Sequence, residues 1–161
     1  MKNSSNKLIP ASTVLIVRDG KNDLEVFMVV RHHEIDFASG ALVFPGGQVD
    51  QAALNLQINH FITKEKKISD EELGVLIAGI RECYEEAGVL FANSSENSMR
   101  ITKDRLSELE VWRDRFNNKE SSMYDFASQE NLTFTVDDLT PYAHWITPDM
   151  MPKRFDTRFY I

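Results

Sequence analysis

The segment SDEELGVLIAGIRECYEEAG, Ser69 to Gly88, constrains this chain more than any other stretch. Ser69 followed three residues later by Glu72 is a capping-box start, because the serine oxygen can accept from an otherwise orphaned first-turn amide. Gly88 suits the opposite end, where helices close through a left-handed residue. Between them Leu73, Leu76, Ile77, Ile80, Tyr84 and Ala87 recur at helical spacing. That face must be buried, so the rest of the chain has to supply a surface for it. The opposite face is chemically odd. Glu85 and Glu86 lie about 60° and 40° either side of Glu82. Like charges four apart cost a helix a few tenths of a kcal/mol, and carboxylates near its C-terminal end oppose the dipole. A hard divalent cation among the three would remove both penalties. A solvated acidic face is the bland alternative, and neighbouring residues have to decide.

The flanking segments indicate what covers the helix. ASTVLIV (11–17) and LEVFMVVR (24–31) are rich in β-branched and aromatic residues around the turn cluster RDGKND, which predicts a hairpin. ALVF (41–44) and VLFA (89–92) read as further short strands, and YAHWIT (142–147) and RFDTRFYI (154–161) as late ones. Leu106, Leu109, Trp112 and Phe116 form a second amphipathic stripe from Thr102 to about Asn117, and SMYDFASQE suits a shorter helix. Trp112 and Phe116 are expected in packing rather than in base stacking, and Trp145 as a core residue. Strands interleaved with helices, hairpins included, predict an α+β fold, a mixed α/β/α sandwich, in one domain spanning 1–161. With 161 residues, 42% of them hydrophobic, one sizeable core is affordable.

Composition narrows the function. The net charge of −7 disfavours a phosphate-coating surface, so no nucleic-acid partner is expected. No apolar run approaches the ~20 residues that cross a bilayer, and the start lacks a signal-peptide pattern, so a cytoplasmic protein without a membrane partner is expected. The single cysteine, Cys83, excludes an internal disulfide. An acidic protein can still hold a polyphosphate if a divalent cation stands between them.

FPGG, Phe44 to Gly47, precedes the helix and lets backbone approach a ligand closely. Together with RECYEEAGV it resembles the Nudix hydrolase box, G-x5-E-x7-R-E-U-x-E-E-x-G-U. Gly47 fills its first position; Arg81, Glu82, Cys83, Glu85, Glu86, Gly88 and Val89 fill its second half. One departure is clear. Arg81 lies thirty-four positions after Gly47, so about 20 residues interrupt the box, and Ala53 stands where the early Glu belongs. That Glu commonly pairs with the box Arg; Asp50, Asp70, Glu71 and Glu72 are the candidate replacements. The insertion, about 51–68, is expected as a loop excursion or short helix outside the catalytic helix, and a helical insertion at about 100–130. The interruption, and a late W-x-T-P…R-F-D-T-x-F pattern, are similar to the coenzyme A diphosphatase-like subgroup. FMVVRHHEIDFASGALVFPGG keeps that subgroup's Arg31, Gly40 and Phe44–Gly47 spacing, but carries His32 and Asp36 where it has a small residue and a second Arg.

The resemblance implies hydrolysis of a diphosphate linkage in a small-molecule nucleoside diphosphate derivative, with coenzyme A or an acyl-coenzyme A among the candidates. It implies Mg²⁺ or Mn²⁺ held by Glu82, Glu85 and Glu86, with a backbone carbonyl of Gly46 or Gly47. Arg81 would orient the glutamates, Glu85 or Glu86 would serve as base, and Arg31 and Phe44 would contact substrate. A non-catalytic nucleotide-binding module is the alternative. The last expectation concerns the C-terminal end. A final strand ending on Phe159, Tyr160 and Ile161 would expose apolar surface and an unpaired edge. The chain is therefore expected to be a shortened version of a longer protein, or to cover that edge as a homodimer.

Overall fold

The computed structural model describes residues 7–30, 40–50, 56–65 and 67–161. Arg31, His32, His33 and Asp36 lie outside the described residues, as do 51–55 of the expected insertion. From the N-terminal side, β1 (Leu8–Val14) precedes two antiparallel pairs, β2 (Val17–Asp19) with β3 (Leu24–Val26) and β4 (Val29–Val30) with β5 (Leu42–Val43). β6 (Gly46–Gln48) carries both glycines. A 3-10 segment, Leu56–Phe61, leads through β7 (Ile62–Thr63) to α1 (Asp70–Ala87). Then come β8 (Ala92–Ser94), α2 (Lys103–Glu108), α3 (Val111–Asn117), α4 (Met123–Glu130), β9 (Leu132–Thr135), β10 (Pro141–Ile146) and β11 (Arg154–Tyr160).

The result is a mixed α/β sandwich. The principal sheet has the order β10-β11-β1-β6, with β1 and β11 parallel and the outer pairs antiparallel. A three-stranded sheet, β7-β9-β8, accompanies the helical segment. α1 lies between β1 and β6 on one side and α3 on the other. Ser69 Oγ accepts from the Glu72 amide at its start, and Gly88 closes it with φ 66°. Every residue from Leu73 to Ile80 is buried, so α1 is covered on two sides and not along the single stripe its periodicity predicts. The second side is an aromatic cluster: Tyr84 stacks on Phe126 at 5.2 Å, and Trp112 lies 4.9 Å from the same ring. Trp112 and Phe116 are packing residues, 1% and 4% exposed.

Five expectations need correction. The stripe at 102–117 is two helices, because the Leu109 carbonyl serves the Tyr84 hydroxyl (2.6 Å) and the Trp112 amide, three residues on, instead of continuing an α-helical ladder. The strand after α1 starts at Ala92, since the Val89 amide still closes the helix end on Cys83 O. The described part of the insertion includes a sheet strand, β7, and is not merely a loop or helix. Finally, β11 is no edge: it lies between β10 and β1, and Tyr160 is buried. The edges of this sheet are β10 and β6, and on β10 Trp145 is 63% exposed and not in the core. Among the described residues no helix is long and apolar enough to cross a membrane.

Candidate active site

The C-terminal half of α1 faces β6. FPGG does not form a free turn there, since Gly46–Gln48 pairs with β1. Ladder bonds from Val14 N to Pro45 O and from Val49 N to Pro10 O place Gly47, opposite Ser12, in the hydrogen-bonded phase of the pairing. Gly46 is then in the alternate phase, with its peptide groups turned away from β1. Its amide donates to Glu86 Oε2 at 3.0 Å. At Gly47 the approach is closer still, since a Cβ would stand 2.5 Å from the Glu82 carboxyl carbon. Glycine at this position lets the Glu82 carboxylate lie directly on β6.

Arg81 is the hub of the cluster. Nη1 donates to Glu85 Oε1 at 2.7 Å, and Nη2 donates to Glu82 Oε1 at 2.5 Å and to Gln48 O at 3.4 Å. Asp50 Oδ2 lies 3.8 Å from Nη2, whereas Asp70, Glu71 and Glu72 are at the far end of α1. Of the four candidates for the missing partner, Asp50 is thus the one beside Arg81. Burial raises the Glu82 pKa to about 7, and Glu85 and Glu86 push it the same way against Arg81. Burial works against the charge on Arg81, but Glu82, Glu85 and Asp50 outweigh it and raise its pKa. The Cys83 thiol, pushed up to about 12 by burial, is an inert packing group.

The donor chemistry fits Mg²⁺ or Mn²⁺, since the three carboxylates on one face of α1 and the outward carbonyl of Gly46 offer hard oxygens. The bare Cα of Gly47 keeps the Glu82 carboxylate against that edge. In the arrangement described, Arg81 occupies Glu82 and Glu85, and no group of three or more His, Cys, Asp or Glu among the described residues is already gathered for a metal. Beside Glu86 and Gly46 opens a cleft of about 760 Å³, walled by Met28, Val30, Leu42, Phe44 and Phe159. Phe44 thus lines the cleft, while Arg31 lies outside the described residues. A second cleft, about 540 Å³, lies by the N-terminal end of α1 and contains none of the box carboxylates.

Two side-chain contacts were not legible in the sequence. His144 pairs with Asp156 across β10 and β11 at 2.5 Å, away from the cluster. Arg113 of α3 reaches the C-terminal turn of α1 and donates to Glu85 O. No spacing rule relates an inserted helix to the turn it meets.

The chain is similar to known proteins in sequence and in fold. The family described as the NUDT19 Nudix domain matches residues 56–161. The chain is 24% identical over 183 residues to a Xenopus laevis protein named acyl-coenzyme A diphosphatase NUDT19, covering 89% of this chain and 48% of that protein. It is 30% identical over 152 residues to putative nudix hydrolase 7 of Caenorhabditis elegans, covering 93% and 43% respectively. The chain therefore spans about half the length of these curated relatives. Its fold matches the crystal structure of a NUDIX hydrolase from Alicyclobacillus acidocaldarius with a TM-score of 0.73 and 27% identity, over 98% of this chain and 70% of that one.

Proposed function

Because the chain belongs to the Nudix hydrolase family, in the branch described as the NUDT19 Nudix domain, we propose that it hydrolyses a diphosphate linkage in a nucleoside diphosphate derivative with the help of Mg²⁺ or Mn²⁺. The observation that carries this reading is the placement of Glu82 and Glu85 on Arg81 and of Glu86 on the Gly46 amide, all where the C-terminal half of α1 meets the glycines of β6. When bound, the cation would supply charge neutralisation and a more acidic water. Glu82, Glu85 and Glu86 would hold it, with the carbonyl of Gly46 rather than Gly47, since the Gly47 peptide faces β1. Arg81 orients Glu82 and Glu85, and the Gly46 amide fixes Glu86. Glu86 borders the substrate cleft and, with Glu85, is the candidate proton acceptor.

Coenzyme A and acyl-coenzyme A are the substrates to test first. The Xenopus relative bears the name of an acyl-coenzyme A diphosphatase, and the apolar cleft walls suit a long, largely uncharged arm. Phe44 would pack against that arm and Arg31 would meet a phosphate. The test is a panel of coenzyme A, an acyl-coenzyme A, ADP-ribose, NADH and diadenosine polyphosphates with Mg²⁺. Glu85→Gln and Glu86→Gln should each lower kcat at least ~100-fold, as loss of a transition-state charge contact does. Unchanged turnover in both variants removes the assignment. Binding without turnover by the unaltered chain selects a non-catalytic nucleotide-binding module, a reading favoured by the existing Arg81 pairing of two glutamates.

A further inference from the structure

An α-helix ends with four carbonyls that have no partner inside it. In α1 the cap disposes of part of this deficit: Gly88 N donates to Tyr84 O at 2.9 Å and Val89 N to Cys83 O at 3.3 Å. The next carbonyl, that of Glu85, is taken by a side chain from another element. Arg113 Nε and Nη2 both donate to it, at 3.1 and 2.9 Å, while Nη1 pairs with Glu110. Glu85 is therefore gripped twice, its carboxylate by Arg81 and its peptide by Arg113. The residue after it, Glu86, is the one tied to Gly46.

We infer that Arg113 is a positioning residue: from α3 it clamps the Glu85 peptide and so fixes the turn that presents Glu85 and Glu86. The inference rests on the hydrolase reading above. The planar guanidinium fork supplies two donors in fixed relation, which a lysine ammonium cannot reproduce. Its charge is already partnered by Glu110, so its leverage on the cluster is geometric. The two possibilities have opposite signs. If Arg113 acted by charge alone, removing it would make the cluster more negative and tighten a cation. If it acts by position, its loss lets the turn fray and weakens the cation.

The test compares Arg113→Ala and Arg113→Lys with Arg105→Ala. Arg105 ties α2 to Glu130 and does not reach α1, so it controls for a simple loss of stability in the helical segment. Three readouts apply: amide hydrogen exchange at residues 85–89, affinity for Mn²⁺ alone, and steady-state kinetics. Both Arg113 variants should raise exchange at that turn and weaken Mn²⁺, with kcat down about 10-fold and KM changed less than about 2-fold, the pattern of a misplaced group. Arg105→Ala should leave all three near the unaltered values. Tighter Mn²⁺ binding, unchanged exchange at 85–89, or Arg105→Ala matching Arg113→Ala overturns the inference. Should Arg113→Ala fail to fold, Arg113→Lys decides. Should the unaltered chain cleave nothing in the panel, the hydrolase reading fails alone, because exchange and Mn²⁺ binding still judge the clamp.

Discussion

Arg81 holds together a cluster that would otherwise repel itself. Its side chain is 16% exposed and the Glu82 and Glu85 side chains 12% and 10%, so these ion pairs escape much of the screening that weakens surface pairs. Asp50 adds a longer-range contact to the same guanidinium. Asp50→Asn should therefore loosen Arg81 without unfolding the protein, lowering kcat about 10-fold with an unchanged melting temperature, the low end of the 10- to 100-fold that removing an outer partner commonly costs in a metal site. A kcat equal to that of the unaltered chain would remove Asp50 from the site. Gly47→Ala is the sharper probe. Its methyl group would meet the Glu82 carboxyl carbon at 2.5 Å, so either the carboxylate rotates away or β6 shifts. Mn²⁺ titration should show at least ~10-fold weaker binding, the scale seen when a ligand's support is disturbed; unaltered affinity would mean that Glu82 is no ligand. The shared face of the three glutamates was readable from helical angles alone. The partner of Arg81 was not, because the interruption separates Asp50 from Arg81 by a stretch whose path no local pattern specifies.

At the level of elements, the caps were the most legible features because each is a short-range device. Ser69 and Gly88 bound α1 where the sequence places them. The second buried side of α1 was hidden, since a run such as LGVLIAGI is apolar in almost every direction and periodicity selects one face from it. Element boundaries were misread where backbone bonds are diverted, as at Leu109 and Val89. α4 offers a direct test of capping. Ser122 Oγ accepts from the Asp125 amide, and Asp125 Oδ2 accepts from both the Ser122 amide and its hydroxyl. The Ser122 hydroxyl, then its amide, holds the Asp125 carboxyl below its ordinary value. A carboxylate lowered in the fold contributes stability that is complete above its unfolded pKa, about 4, and is lost as pH falls through the folded value. Ser122→Ala should thus cost about 1 kcal/mol at neutral pH. In urea titrations, the gap between the two proteins should narrow on moving from neutral to strongly acidic buffer. A gap independent of pH would show that the Asp125 carboxylate is not part of the cap.

At the scale of the whole molecule, α1 is common property. The principal sheet packs on one of its sides, and Tyr84 joins Phe116 and Phe126 on the other. Neither layer can lose α1 and keep its core, so the sheet and the helical segment should unfold together as one domain. The two tryptophans make this measurable. Trp112 is 1% exposed in the aromatic cluster and donates through Nε1 to Glu130 at 2.8 Å, whereas Trp145 is 63% exposed on β10. Trp145→Phe should be nearly neutral for stability and leaves Trp112 as a reporter of the helical side. In that background, Trp112 emission and far-ultraviolet ellipticity should give one urea midpoint, because the ellipticity reports α1 and the sheets as well as the helical segment. Adding Phe126→Ala, which empties the position between Tyr84 and Trp112, should cost about 3–5 kcal/mol, a large part of the 5–15 kcal/mol typical of a domain. Both probes should then move by the same amount. If the Trp112 transition shifted while the ellipticity largely stayed, the helical segment would be a separate unit, and α1 would belong to the sheet alone.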